Sequence, residues 1–180
     1  MAATAGRPTL GLSGLEPLRV LGIDPGTATT GFGVIEGAPG AGGPIALVDY
    51  GVIRTAAGTP MPERLAELHA GLAALLDAHQ PSAMAVEELF FSTNASTALT
   101  VGQARGVILL AGAQAGVPIF EYKPLQVKLA LTGYGAADKR QVQDMLRLVL
   151  GLDRIPRPDD AADAIAIALC HLQVARVARR

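Results

Sequence analysis

The stretch Val20-Leu21-Gly22-Ile23-Asp24-Pro25-Gly26-Thr27, continuing through Thr30-Gly31-Phe32-Gly33-Val34-Ile35, decides how this chain folds. Two short apolar, β-branched runs flank a turn of Gly, Thr and Pro, which predicts a strand, a tight reversal and a second strand. Asp24 closes the first run, so its carboxylate stands at the mouth of a buried strand. Pro25 has no N–H to give a sheet ladder, and regular pairing stops there. Gly26 lets the chain turn away, or lets a phosphate approach the backbone. Read alone, the stretch is an ordinary hairpin whose Asp caps its turn. Carboxylates further along the chain change that reading.

Residues 1–18 are rich in Gly, Pro, Ala and Thr without periodicity, and we expect them to form a flexible extension outside the fold. Residues 19–180 then form a single domain. The Gly/Pro-rich loop at 37–44 leads into a third strand at 45–54, giving an antiparallel meander. From Met61 to His79 the pattern turns helical, with Leu65, Leu68, Leu72, Leu75 and Leu76 on one stripe. Pro62 suits its first turn and Pro81 stops it. Ala83-Met84-Ala85-Val86-Glu87 reads as a fourth strand, entered from a helix and so parallel to the first. A long helix from Asn94 to Ala115 follows, then a strand at 117–122 and a short helix over Pro124–Leu131. Another helix begins near Asp138, and the last runs to about Val177. The order, written βββαβαβαα, describes an α/β domain: a five-stranded mixed sheet flanked by helices.

No apolar run is long enough to span a membrane, and no hydrophobic block follows a basic start. Cys170 is alone, which fits a buried, inert thiol in a reducing cytosol, and a cytoplasmic location is expected. His69 and His79 read as surface residues rather than ligands, and no Cys/His cluster has zinc spacing. The formal charge of −1 hides an asymmetry. Residues 1–104 carry 4 basic and 9 acidic side chains, residues 105–180 carry 11 and 7. A positive surface around a sharply negative pocket suits a polyanion held near cations.

Three further acids have positions that can be argued. Glu87 ends the fourth strand as Asp24 ends the first, so parallel neighbours would bring both out at the carboxyl edge, where open α/β sheets bind ligands. Asp160 and Asp163 lie three apart in Pro158-Asp159-Asp160-Ala161-Ala162-Asp163-Ala164-Ile165, on one helical face. The alanines let that face approach the sheet. Asp159 reads as a plain helix-start acid. Asp163 precedes an apolar stripe and needs a partner. Four such acids repel one another unless cations sit between them, and oxygen-only ligands point to Mg²⁺ or Mn²⁺. Two ions roughly 4 Å apart can activate a water and stabilise the leaving oxygen in an in-line phosphoryl displacement. That is nuclease or nucleotidyl-transfer chemistry.

Gly22-Ile23-Asp24-Pro25-Gly26-Thr27, Val86-Glu87, Phe90, Asn94-Ala95-Ser96-Thr97-Ala98-Leu99, Gly102-Gln103-Ala104-Arg105-Gly106 and Asp160-Ala161-Ala162-Asp163-Ala164 closely resemble the RuvC family of Holliday-junction resolvases. The likeness runs in order from about 19 to 172. It implies a ribonuclease-H-like fold, a homodimer, and paired symmetric nicking of four-way DNA junctions in recombination and repair, with two Mg²⁺ (or Mn²⁺) per active site. On that likeness Asp24, Glu87, Asp160 and Asp163 match the catalytic, metal-holding acids. Phe90 matches an aromatic that stacks on a base near the cut, with Phe91 able to share that role. Lys128 and Lys139 match DNA-contacting lysines, and Arg140 adjoins the second. The helix from Asn94 resembles the dimer-forming helix, through Asn94, Gly102, Gln103, Arg105 and Gly106. Its small residues, Ala104, Ala111 and Gly112 included, would let a second subunit approach. The RuvA–RuvB branch-migration complex is the implied partner.

Glu88 adds an acid beside Glu87, and strand alternation should turn it to the other side. His171 lies too far along the last helix to join the acids, and a core or surface role is expected. The tail arginines Arg176, Arg179 and Arg180 read as DNA contacts or solvated charges. Three other functions compete. An actin-like or sugar-kinase-type ATPase would use Asp-Pro-Gly-Thr as a phosphate hairpin but needs a second lobe. A non-catalytic DNA-binding module would not need Asp160 and Asp163 on an alanine-lined face. A related nuclease could act on RNA or unbranched DNA.

Overall fold

The computed structural model describes residues 17–38, 43–88 and 95–178. The hairpin expected around Asp24 is β1 (Leu18–Asp24) and β2 (Thr29–Gly37), paired antiparallel with Asp24 opposite Gly31. β3 (Ile45–Arg54) continues the meander, with an irregularity opposite Val34/Ile35 where β3 carries an extra residue. β4 (Ala83–Glu87) lies beside β1 and parallel to it, as its entry from a helix requires, and β5 (Ile119–Tyr122) adds in parallel outside it. The sheet order is β3-β2-β1-β4-β5. Strands β1, β3, β4 and β5 therefore all end at one edge.

Helices cover both faces. On one, α1 (Met61–His79) and α2 (Ala95–Gln114) bury Leu68, Leu72, Leu76, Ala104 and Ile108 against Leu21, Ile23, Met84 and Val86. On the other, α5 (Asp159–Ala178) packs Ile165, Ile167 and Leu169 with Val20, Ile35 and Ala85. α3 (Pro124–Thr132) and α4 (Lys139–Val149) close that layer through Val127, Leu131, Val142 and Leu146. Three helices follow β5, as the stretches at Pro124–Leu131, from Asp138 and up to Val177 predict; the written order βββαβαβαα counts one too few. Gly133, at φ +71°, ends α3, and Asp138 starts α4 with a capping box in which its carboxylate accepts from the Gln141 N–H. Such a cap contributes about 1 kcal/mol.

The third and fourth strands and the first helix span the residues expected. The fifth strand is shorter than 117–122. Pro118 cannot pair through nitrogen, and only its carbonyl joins the sheet, accepting from the Met84 N–H at 2.9 Å. No described helix is long and apolar enough to cross a membrane. Cys170 is fully buried, and burial pushes its thiol up to about 11, which keeps it inert. His171 is a core residue, hydrogen-bonded through Nδ1 to the Tyr122 hydroxyl at 2.8 Å. His79 pairs with Asp49 at 2.9 Å and His69 with Gln114 at 2.7 Å. Leu18, expected at the end of the extension, is the first residue of β1 and pairs with Gly37, because its apolar side chain continues the strand. The extension's residues 1–16 and residues 39–42 of the 37–44 loop lie outside the described residues.

Candidate active site

Three elements bring the four acids together. Strand alternation puts Asp24 on the face of the sheet that Gly22 occupies, and Glu87 on that of Ala85; both faces look at α5. A parallel β1–β4 pair then delivers the two carboxylates side by side at the carboxyl edge. α5 contributes Asp160 and Asp163 from its first turn and a half.

What lets α5 reach them is a row of glycines in the sheet. A Cβ built on Gly22 would stand 2.1 Å from the Ala164 carbonyl oxygen, one on Gly31 2.0 Å from the Asp160 oxygen, and one on Gly33 2.5 Å from Ile165 Cγ1. The helix backbone thus rests directly on bare strand. The alanines of α5 are half of this contact, and the strand glycines are the half that sequence reading missed.

The resulting electrostatics are severe. Burial, then repulsion from Glu87, Asp163 and Asp160, pushes the Asp24 carboxyl up from 3.8 to about 8. Glu87 is raised by burial and by Asp163, and Asp163 chiefly by burial. The counter-charge is Lys139 at the start of α4. Its ammonium donates to Asp163 Oδ2 at 3.0 Å and pairs with Asp159 at 3.3 Å. Burial works against the Lys139 charge, but these two carboxylates outweigh it and raise its pKa. Asp159, held down chiefly by its hydrogen bond to Lys139, also pairs with Arg157 and accepts from the buried Gln143. It anchors the helix start, as its sequence position suggests.

Among the described residues no three His, Cys, Asp or Glu side chains close tightly enough to cage a metal by themselves. The donor set nevertheless fits a hard divalent cation: it is all carboxylate, and burial together with repulsion among the acids disfavours the charged form of Asp24, which a cation would restore. A cavity of about 210 Å³ beside the acids is lined by Glu87, Asp163, Lys128 and Lys139, with Val127 and Ile167 behind them. A roomier one of about 560 Å³ lies between α1 and α2, around His69, Asp77 and Gln114, and touches none of the four acids.

Other expected site residues fall as follows. Glu88 lies past the end of β4 and is not among the groups acting on Asp24. Arg140 is largely exposed beside Asp144. Phe90, Phe91 and Asn94 lie outside the described residues, as do Arg179, Arg180 and the Arg176 side chain. On α2, Ala104, Ala111 and Gly112 are buried in this chain's own core. A Cβ on Gly112 would meet Met84 Cε at 2.4 Å, so its smallness serves the sheet and not a second subunit. Arg105 is tied to Glu121 of β5, while Gln103 and Gly106 face outward and Gly102 is half-buried.

Two buried threonines, absent from the sequence expectations, hold the turn after Asp24. Thr30 Oγ1 donates to the Gly26 carbonyl at 2.7 Å, and Thr55 Oγ1 to that of Thr27 at 2.7 Å. Their signal exists only in the folded chain.

Comparison with known proteins identifies the family and agrees with the fold. The family profile described as crossover junction endodeoxyribonuclease RuvC matches residues 20–171. The enzyme of that name from Chloroflexus aggregans is 61% identical over 163 residues, 91% of this chain and 98% of its own. The structure of Thermus thermophilus RuvC in complex with a Holliday junction substrate superposes with a TM-score of 0.84 at 43% identity, covering 89% of this chain and 96% of that one. The yeast mitochondrial Holliday junction resolvase Ydc2 shares the fold, with a TM-score of 0.60 at 16% identity over 93% of this chain and 86% of that one. This chain belongs to the RuvC family of crossover junction endodeoxyribonucleases.

Proposed function

We infer that this chain is a structure-specific endonuclease that resolves four-way DNA junctions by paired, symmetric phosphodiester hydrolysis, in recombination and repair. The observation that carries the reading is the convergence of Asp24, Glu87, Asp160 and Asp163, where burial first and then repulsion from the other three acids hold Asp24 at about 8. So strong a concentration of carboxylates, open to solvent beside two lysines, suits cations and a phosphate together. The relative whose structure holds a Holliday junction supports the choice of substrate.

The four acids are the catalytic, metal-holding groups, taking Mg²⁺ or Mn²⁺, two per site. Bound there, such ions supply an activated water and stabilisation of the leaving oxygen. The chain's own groups do the rest. Asp24 and Glu87 are fixed by strand backbone, Asp160 and Asp163 by a helix seated on glycine. Lys128 and Lys139 line the cleft as donors to phosphate oxygens, with Arg140 further out, and Phe90, aided by Phe91, stacks on a base near the cut. Leu18 is already paired in β1, so the nuclease domain runs over 18–180, with the residues before it an extension. It works in the cytoplasm beside the RuvA–RuvB branch-migration complex.

Incubating the protein with a four-way junction, a plain duplex, a single strand and an RNA duplex, each with and without Mg²⁺ or Mn²⁺, tests the reading. Cutting confined to the junction and to the metal lanes is expected. Equal cutting of duplex or RNA would move the chain to another substrate class.

Two nicks at symmetric positions require two sites related by a two-fold axis. The outward face of α2 supports a homodimer: Leu99 (67% exposed), Gln103, Gly106 and Leu110 (51% exposed) follow one another along one side of the helix. Leu110→Glu is expected to sediment as a monomer and to release singly nicked junctions. A dimer by analytical ultracentrifugation in that variant would place the interface elsewhere.

A further inference from the structure

The cleft has lysines on one side only, toward β5, α3 and α4. On the other side lie β2, β3 and the start of α1, in a half of the chain that is poor in basic residues. Of its described arginines, Arg19 is spent on Glu36 at 2.6 Å. The other two, Arg54 and Arg64, sit at the carboxyl edge. Arg54 is the last residue of β3, exposed, and paired in register with Thr29, two residues past the Asp24–Gly31–Val52 level. Alternation from Gly31, which meets Asp160, puts Arg54 on the α5 face. Two strand spacings and two residues of rise place its backbone about 12 Å from that of Asp24, an interval of roughly three or four phosphates at about 3.4 Å of axis each.

Arg64 is built in. Its Nε donates to Thr55 Oγ1 at 2.9 Å, and that buried hydroxyl donates in turn to the Thr27 carbonyl. The Thr55 N–H also donates to the Ala28 carbonyl at 3.1 Å. The guanidinium is thus locked two hydrogen bonds from the turn that follows Asp24. Its terminal nitrogens meet no described partner and are not buried. An arginine whose inner nitrogen is held by its own fold and whose outer pair faces water is pre-set to take a phosphate in bidentate fashion.

We propose that Arg64, oriented by Thr55, and Arg54 form a second phosphate-binding rim across the acid cleft from Lys128 and Lys139, gripping the sugar–phosphate backbone of a junction arm. This rests on the junction-resolving function above. The four acids then lie between two basic rims, and a strand bound to both is held on either side of the cut.

The test is junction affinity against salt, by fluorescence anisotropy with metal withheld so that no strand is cut. Arg64→Gln and Arg54→Gln are each expected to lower the slope of log K against log salt by about one, and affinity about tenfold near 0.1 M. Arg64→Lys keeps the charge and the slope but loses part of the affinity with the fork. Arg54 is exposed and unpaired, so its variant reads the rim even if Arg64→Gln loosens the turn. Wild-type slopes in both glutamine variants, with wild-type protein binding the junction, overturn the rim alone. Wild-type protein that ignores the junction overturns the function and the rim together.

Discussion

Asp24→Asn is expected to abolish junction cutting while leaving junction binding within a few-fold of wild type. The residue is placed for chemistry: it ends β1 inside the acid cluster, and an Asn there keeps the shape of the carboxyl and leaves the cleft's cations in place to hold the junction. Normal cutting by the variant would take Asp24 out of the mechanism. The same substitution has a second readout that needs no DNA. Burial and three neighbouring carboxylates raise Asp24 from 3.8 to about 8, so between these pH values the folded chain holds a proton that the unfolded chain has released. Stability of the metal-free protein must then fall as pH climbs from about 4 to about 8. The Asn variant lacks this contribution and should melt higher than wild type near pH 8, by a margin that shrinks toward pH 4. Divalent cation should stabilise wild type, more strongly as pH rises and the proton leaves, and the variant much less. Parallel melting-temperature curves for the two proteins across this range would mean that Asp24 is not strained by its neighbours.

The elements were legible because their signals are local. The leucine stripe with Pro62 and Pro81 bounded α1, and the entry of the short apolar run of β4 from a helix fixed it parallel to β1, which put Asp24 and Glu87 at one edge. What stayed hidden was what each residue meets across space. Small residues in α2 look the same whether they face a second subunit or their own sheet, and only the fold reveals that Gly112 meets Met84. By its sequence likeness Lys139 is a DNA contact, yet in the folded chain it also pairs with Asp163 and Asp159, 24 and 20 positions away in sequence. The clamp from Arg64 through Thr55 to Thr27 joins three segments whose residues carry no motif between them. The role of the glycines in Gly31-Phe32-Gly33 is invisible in the sequence, because nothing there says which backbone will lie against them.

That last point yields the second large effect. Gly31→Ala should both destabilise the chain and cripple cutting, although it touches no ionisable group. Its Cβ would stand 2.0 Å from the Asp160 carbonyl oxygen and 3.1 Å from Asp160 Cβ. The obstacle is helix backbone, which cannot swing aside as a side chain would, so α5 must lift or β2 must bow. Overpacking of this kind costs about 1–3 kcal/mol and more where backbone is the obstacle. If the helix lifts by about 1 Å, Asp160 leaves its place and the rate falls roughly 100-fold. Gly58→Ala is the control: nothing lies within 4 Å of its Cβ, and a change within about 0.5 kcal/mol is expected. The two readouts together separate the causes. A Gly31→Ala protein that melts lower, still binds the junction and cuts slowly has lost the placement of its acids; one that cuts at the wild-type rate would mean that the seat of α5 on bare strand is not what positions Asp160.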